Sequence, residues 1–254
     1  VFDPVAGGEA LVVLEGHTKS TRALTAFTDP ATGEPRLVSG SWDVRVWNPA
    51  ASGAAIEAEP EGHSDEVRSL VTFVEPATGA LRVATGSNDK TIRVWDAETG
   101  SVLLVIDVGS GVNAPAFFVD PATGAPRLAC GCKDGKVRVF DPVVGGEALL
   151  VLDVDSDVNA LAAFEDPATG APRLACCGVM GDGDDVCEVR VFDAISGGDA
   201  LLVLDVGSVV FALVVFKDRA TDALRLASGS KDKKVRVFDP VAGGEALVVL
   251  EGHT

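Results

Sequence analysis

Short apolar runs with period-two alternation, cut by clusters of Pro, Gly and Asp, fill the chain from end to end. In one stretch Val67–Phe73 is apolar-rich and stops at the turn signal Glu75-Pro76-Ala77-Thr78-Gly79. Leu81–Ser87 follows, then a tight turn at Asn88-Asp89 and the alternating segment Thr91–Trp95. Ala97-Glu98-Thr99-Gly100 breaks the pattern before a last apolar run, Val102–Ile106. This spacing predicts four short strands. A helical reading needs amphipathic stretches of about ten to twelve residues, and the Gly and Pro spacing leaves none.

The same unit returns along the chain. Phe27-Thr28-Asp29-Pro30-Ala31-Thr32-Gly33 recurs at Phe73, Phe118 and Phe164, and in degenerate form at Phe216–Asp222, at steps of 46, 45, 46 and 52 residues. Trp47, Trp95, Phe140, Phe192 and Phe238 form a second marker, each closing a pattern like Val-Arg-Val-Trp. Two markers with one period give five copies, over approximately 19–60, 61–107, 108–153, 154–205 and 206–251, in a single domain spanning 1–254. A thin four-stranded antiparallel unit does not exclude water by itself, whereas several stacked radially do. The expected fold is therefore all-β, a propeller of about five four-stranded antiparallel blades. With strands A to D counted outward, the A–B and C–D loops share one face, and the B–C and D–A loops the other.

Glu61-Gly62-His63 followed by Ala84-Thr85-Gly86-Ser87-Asn88-Asp89-Lys90-Thr91-Ile92-Arg93-Val94-Trp95-Asp96 resembles the WD-repeat propeller family, in its Gly-His pair, Ser-x-Asp turn and Trp-Asp end. The resemblance runs through nearly the whole chain and weakens from blade to blade. It implies a side-chain network of His63, Thr85 (or Ser87), Asp89 and Trp95 in blade 2. In blade 1 it implies His17, Ser39 (or Ser41), Asp43 and Trp47, on a B–C turn two residues shorter. The chemistry is sound on its own terms. One ring nitrogen of a histidine holds the carboxylate, the other holds the strand-B hydroxyl, and the buried indole N–H needs an acceptor. Blades 3 to 5 lack the Gly-His pair and carry Phe for Trp, an apolar repair of the whole network. Cys130 and Cys176 replace the hydroxyl of Thr85.

Composition narrows the function. Hydrophobic residues are 47% of the chain, enough for a core, and the net charge is −17, which repels phosphate backbones and argues against nucleic-acid binding. No apolar run reaches the roughly 18 residues a membrane helix needs. Five Cys, an odd number, fit a reducing compartment, hence an intracellular protein. The chain opens on Val1-Phe2-Asp3 without a signal-peptide pattern and reads as an excised piece or processed product.

His17, His63 and His253 all sit in Glu-Gly-His-Ser/Thr contexts, which leaves none for a Ser/His/Asp or Cys/His mechanism or a His-bearing metal site. No catalytic residue, metal or cofactor is expected. Cys130, Cys132, Cys176, Cys177 and Cys187 raise a thiolate metal site, but hydroxyl replacement in neighbouring blades fits the repeat alignment better. Asp182, Asp184 and Glu188, in the Met180–Glu188 insertion, raise a calcium loop; the ligand pattern fails at Val186, which favours a solvated hairpin.

The expected activity is that of a non-enzymatic scaffold binding a protein or peptide on the D–A/B–C face at the channel mouth. The candidate contacts are Trp42, at a turn, and one residue per blade five before the repeat Phe: Arg22, Arg68, Asn113, Asn159 and Phe211. The alternatives are a structural subunit of a larger assembly, using its Pro-Ala-Thr-Gly and Gly-Gly-Glu loops, and a propeller enzyme. Finally, residues 1–18 and 237–254 are identical. Both encode strands C and D of one blade, with 1–14 the extra segment, so one copy is supernumerary, or chains exchange ends or self-associate through 1–14 and 237–250, or the chain is a window on a longer array.

Overall fold

A computed structural model describes residues 13–29, 32–49, 62–179 and 188–252. His253, Cys187, the insertion residues 180–187 and the first twelve residues of the terminal repeat lie outside the described residues. All regular structure among the described residues is β. Accordingly, none of it is a helix long and apolar enough to cross a membrane.

The chain forms two compact units, 1–109 and 110–254. The first holds two antiparallel sheets. Sheet 1 orders β1 (Ala23–Thr28), β2 (Pro35–Gly40) and β3 (Val44–Trp47), three strands among the described residues. Sheet 2 orders β4 (Val67–Val74), β5 (Leu81–Ser87), β6 (Thr91–Asp96) and β7 (Val102–Asp107). These are the four strands that alternation and turn residues predict, within a residue at each end.

The second unit holds three four-stranded sheets of the same meander. Sheet 3 is β8 (Val112–Val119), β9 (Pro126–Cys132), β10 (Lys136–Phe140) and β11 (Leu150–Asp153). Sheet 4 is β12 (Asp157–Glu165), β13 (Pro172–Val179), β14 (Glu188–Asp193) and β15 (Leu202–Asp205). Sheet 5 is β16 (Val210–Lys217), β17 (Leu224–Ser230), β18 (Val235–Phe238) and β19 (Val248–Leu250). The second copy of the repeated segment thus supplies β19 and the end of β18, paired Val237 to Val248.

Within each unit the core lies between successive sheets. In the second, Ala114, Ala116 and Phe118 of sheet 3 meet Val158, Leu161, Leu174 and Phe192 of sheet 4. The opposite face of sheet 4, with Ala160, Phe164, Cys177 and Val191, meets Val210, Leu226 and Phe238 of sheet 5. A sheet buried on both faces has no polar side, which is why β13 reads as an apolar run rather than an alternation. In the first unit Ala23, Val38 and Val46 pack on Val67, Val83 and Trp95.

The B strands of sheets 1, 2, 3 and 5 carry a Gly at or next to their last residue, and in sheets 1 and 3 the neighbouring sheet comes close there. A Cβ on Gly131 would lie 2.5 Å from Val158 Cγ1, and one on Gly40 2.7 Å from Val67 Cγ1. In sheet 4 this position is Cys177, whose Sγ faces Val210 O at 3.6 Å.

The repeated Asp-Pro-Ala-Thr-Gly loops close on themselves. Asp120 accepts the Ala122 N–H at 2.9 Å and the Thr123 hydroxyl at 2.7 Å, and the closing glycines adopt φ near +70°, as at Gly124. Asp222 holds the same left-handed geometry at φ 57° in the degenerate fifth loop. Each sheet also carries an arginine at the start of strand B that sequence reading passes over. Arg82 binds Glu75 at 2.9 Å and Asp96 at 2.6 Å, and Arg173 pairs with Asp166 and Asp193. Arg36, Arg127 and Arg225 occupy equivalent positions with acidic partners. A fixed Arg as the second residue of each strand B is the signal that finds them. Their pairing ties the A–B loop acids to strand B in sheets 1 to 4.

Candidate functional site

A buried network in sheet 2, a half-buried one in sheet 1 and a set of residues at the starts of the first strands account for the polar residues singled out above. In sheet 2, His63 Nδ1–H donates to Asp89 at 2.8 Å, its Nε2 meets Thr85 Oγ1 at 2.7 Å, and Trp95 Nε1–H donates to the same oxygen at 2.8 Å. The tautomer follows from the carboxylate: with the proton on Nδ1, Nε2 accepts the Thr85 hydroxyl hydrogen, and Thr85 in turn accepts from the indole. Sheet 1 repeats the order. His17 meets Asp43 at 2.6 Å and Ser39 at 2.7 Å, and Trp47 donates to Ser39 at 2.7 Å. The shortened turn, with the Ser41 N–H on Asp43 O at 2.9 Å, still presents the carboxylate.

An aspartate, a histidine and a hydroxyl in series have the connectivity of a hydrolase triad. Here Thr85 is fully buried and its lone pair is taken by Trp95, so no substrate carbonyl reaches it. The networks hold strands together. Burial pushes the His63 pKa down and outweighs the pull of Asp89. Burial alone would raise Asp89 and Asp43. The hydrogen bonds of Thr91 and His63 to Asp89, and of Arg45 and His17 to Asp43, win and hold both carboxyls below their ordinary range.

The sign of the pH response follows. Folded His63 resists protonation, so below its ordinary value of 6.5 the unfolded chain binds the proton first, and the stability present above that pH is lost as pH falls toward the folded pKa. Trp42, Trp47 and Trp95 are the three Trp of the chain and all lie in the first unit, so indole fluorescence reports that unit alone. The urea midpoint read this way is expected to drop between pH 7.5 and 5.5, and a His63→Asn variant to flatten that drop.

Sheets 4 and 5 carry the apolar version. Val154, Cys176 and Phe192, all buried, stand where His63, Thr85 and Trp95 stand in sheet 2, and they share one cluster. In sheet 5 Val206 and Phe238 make the same exchange, but the middle position is still Ser228, fully buried. Its hydroxyl has no partner among the described residues. Ser228→Ala is therefore expected to stabilise the second unit by about 1 kcal/mol, read as a higher midpoint in circular dichroism. The valine in the histidine position was legible from the alignment of the repeats. In sheet 3, Cys130 and Cys132 are buried with sulfurs 3.7 Å apart, and burial pushes the Cys130 thiol far up. Among the described residues no group of three or more His, Cys, Asp or Glu is placed to hold a metal.

The rim residues share a backbone feature. Arg68, Asn113, Asn159 and Phe211 are the residues skipped by the register shift at the start of strands β4, β8, β12 and β16. A bulge turns its extra residue out of the ladder. Arg22 precedes the pairing of β1, with its N–H on Gly40 O at 3.0 Å. Glu66 bridges the two arginines, at 2.7 Å to Arg22 and 3.2 Å to Arg68, and both hold its carboxyl below the usual range. Trp42 is 45% exposed, with the Lys19 ammonium 5.6 Å from its ring centroid. Phe211 is exposed and Asn159 half-buried. Asn113 is buried, its amide donating to Asp157 at 2.7 Å and to Val158 O at 3.2 Å, which ties sheet 3 to sheet 4. At the other end of the strands, a groove of about 530 Å³ between sheets 1 and 2 is lined by Phe27, Arg36, Thr78, Leu81 and Asp96.

Antiparallel meanders packed face to face, four with a bulged first strand, and a histidine-hydroxyl-indole network define a β-propeller. The WD domain, G-beta repeat family matches residues 56–96, the segment that carries His63, Thr85, Asp89 and Trp95. That match and the five repeated sheets together support a WD-repeat propeller. A crystal structure of the computationally designed Ika8 protein is similar at TM-score 0.66 and 26% identity, over 96% of this chain and 65% of that one. The chain therefore spans about two thirds of that protein's length. The fold is widespread, with 1298 solved chains matching, so its shape alone does not select a function. A search of curated proteins gave no match.

Proposed function

We propose that this chain is a non-enzymatic scaffold that binds a protein or peptide on the face of its D–A and B–C loops. WD-repeat propellers are in general protein-interaction scaffolds, and the finer reading rests on two side-chain groups in the first unit. Arg22 and Arg68, bridged by Glu66, lie beside sheet edges, and Trp42 is exposed under Lys19. Partly exposed arginines and an exposed indole are the side chains that most often anchor a partner. On a chain of net charge −17 they form a local cationic and aromatic surface. Asn159 and Phe211 offer equivalent positions in the second unit, while Asn113 is buried on Asp157 and Val158 and is left out of the site.

The test is quantitative affinity capture from the native source, with the wild-type chain beside an Arg22→Ala, Trp42→Ala, Arg68→Ala triple variant. A partner enriched on the wild type and lost on the folded triple variant supports the site. Equal recovery on both overturns it.

A further inference from the structure

The stacking of sheets within each unit has a direction, and sheets 1 and 5 each present a face that no sheet of their own unit covers among the described residues. Ala116 and Phe118 of sheet 3 are covered by sheet 4, and Phe164 of sheet 4 is covered by sheet 5; Phe118 and Phe164 are each 8% exposed. The equivalent face of sheet 5 carries Val214, 56% exposed, and Phe216, 41% exposed, with Phe211 at its rim. On the opposite face, Leu161 of sheet 4 is buried against sheet 3, and Leu213 and Val215 of sheet 5 pack against sheet 4. The equivalent residue in sheet 1 is Leu24, 64% exposed, and Leu37 beside it is half-buried where Leu174 and Leu226 are fully buried. Sheet 5 thus shows the face that a following sheet covers, and sheet 1 the face that a preceding sheet covers.

We infer that sheet 5 of one chain docks against sheet 1 of a second copy, head to tail. Three observations select this occupant. The two uncovered faces are the complementary halves of the contact already made between sheets 3 and 4 and between sheets 4 and 5. Next, the segment that leads into sheet 1 and seats His17 on Ser39 and Asp43 has the sequence that ends sheet 5, since 1–18 and 237–254 are identical. Sheet 1 is built to follow a blade ending in that sequence, and sheet 5 ends in it. Last, the segment 206–251 carries seven basic and six acidic residues and is the only one of the five blades without a net negative charge. On an acidic chain it is the end least repelled by another copy. The contact is heterologous, so repetition gives a closed ring of chains or an open filament.

Light scattering on a sizing column, across a concentration series, tests it. The wild-type mass is expected to rise above 26.1 kDa with concentration, and further in added salt as repulsion between chains of charge −17 is screened. Val214→Asp disables the sheet 5 face and Leu24→Asp the sheet 1 face, each by forcing an unpaired carboxylate into the contact. Each variant alone is expected at 26.1 kDa. An equimolar mixture is expected to form a dimer and stop there, because each partner keeps the one face the other lacks. The mixture also controls for folding, since a misfolded variant presents no face, and Phe216→Ala, a milder change, should weaken association about tenfold or more. A wild type monomeric at every concentration, a single variant that still associates, or folded variants whose mixture stays monomeric would each overturn the inference.

Discussion

Thr85→Val unfolds the first unit at markedly lower urea and temperature than the wild type: that is the expected result, although the change removes only one hydroxyl from a fully buried side chain of nearly constant shape. The Thr85 oxygen is the shared point of the sheet 2 network, 2.7 Å from His63 Nε2 and 2.8 Å from Trp95 Nε1. Valine leaves the indole N–H and the imidazole nitrogen buried without their partner, at about 1–3 kcal/mol each. For a unit of about 100 residues this is a fall of about 10 °C or more in the midpoint, read by indole fluorescence. The control is the exchange the protein has made elsewhere. His63→Val, Thr85→Cys and Trp95→Phe together reproduce the Val154, Cys176 and Phe192 set of sheet 4, which has no imidazole or indole nitrogen to satisfy, while Asp89 keeps its bonds from Ser64 and Thr91. The triple variant is expected to regain much of what the single change loses. A triple variant less stable than Thr85→Val would show that packing, not hydrogen bonding, sets the value of this site.

That contrast also marks what the sequence made legible. The strands of sheet 2 follow from alternation and turn residues because both are local, and the bulged rim positions follow from counting back along one strand. Whether a rim residue is free does not. Asn113 and Phe211 occupy the same place in the repeat, yet one is buried on Asp157 and Val158 and the other is exposed. The difference lies in the sheet packed beside it, a non-local fact. The arginine at the start of each second strand was present five times in the sequence, but its role appears only when the acids of the A–B loop and of the end of strand C meet it in space. The Pro-Ala-Thr-Gly loops, one of the two loop types read as a possible contact surface, are bonded internally by their own Asp and Thr and paired with those arginines.

The same non-local rule sets the second large effect. Phe164 and Phe216 are one residue in the repeat, yet Phe164→Ala is expected to cost the second unit about 3–5 kcal/mol and Phe216→Ala roughly 1 kcal/mol or less. Phe164 sits in the cluster between sheets 4 and 5 with Val210, Leu226 and Phe238, so truncating it opens a cavity that both sheets line. Phe216 is 41% exposed, and truncating it at low concentration mainly trims surface. Urea titration followed by circular dichroism, on dilute samples, separates the two. Raising the concentration adds a second discriminant. If a second copy covers Phe216, binding to the native state raises the wild-type midpoint with concentration, and Phe216→Ala loses that rise while Phe164→Ala keeps it. Equal penalties for the two alanines in dilute solution would mean that the outer face of sheet 5 is already covered within one chain, and the head-to-tail contact would have no surface left to use.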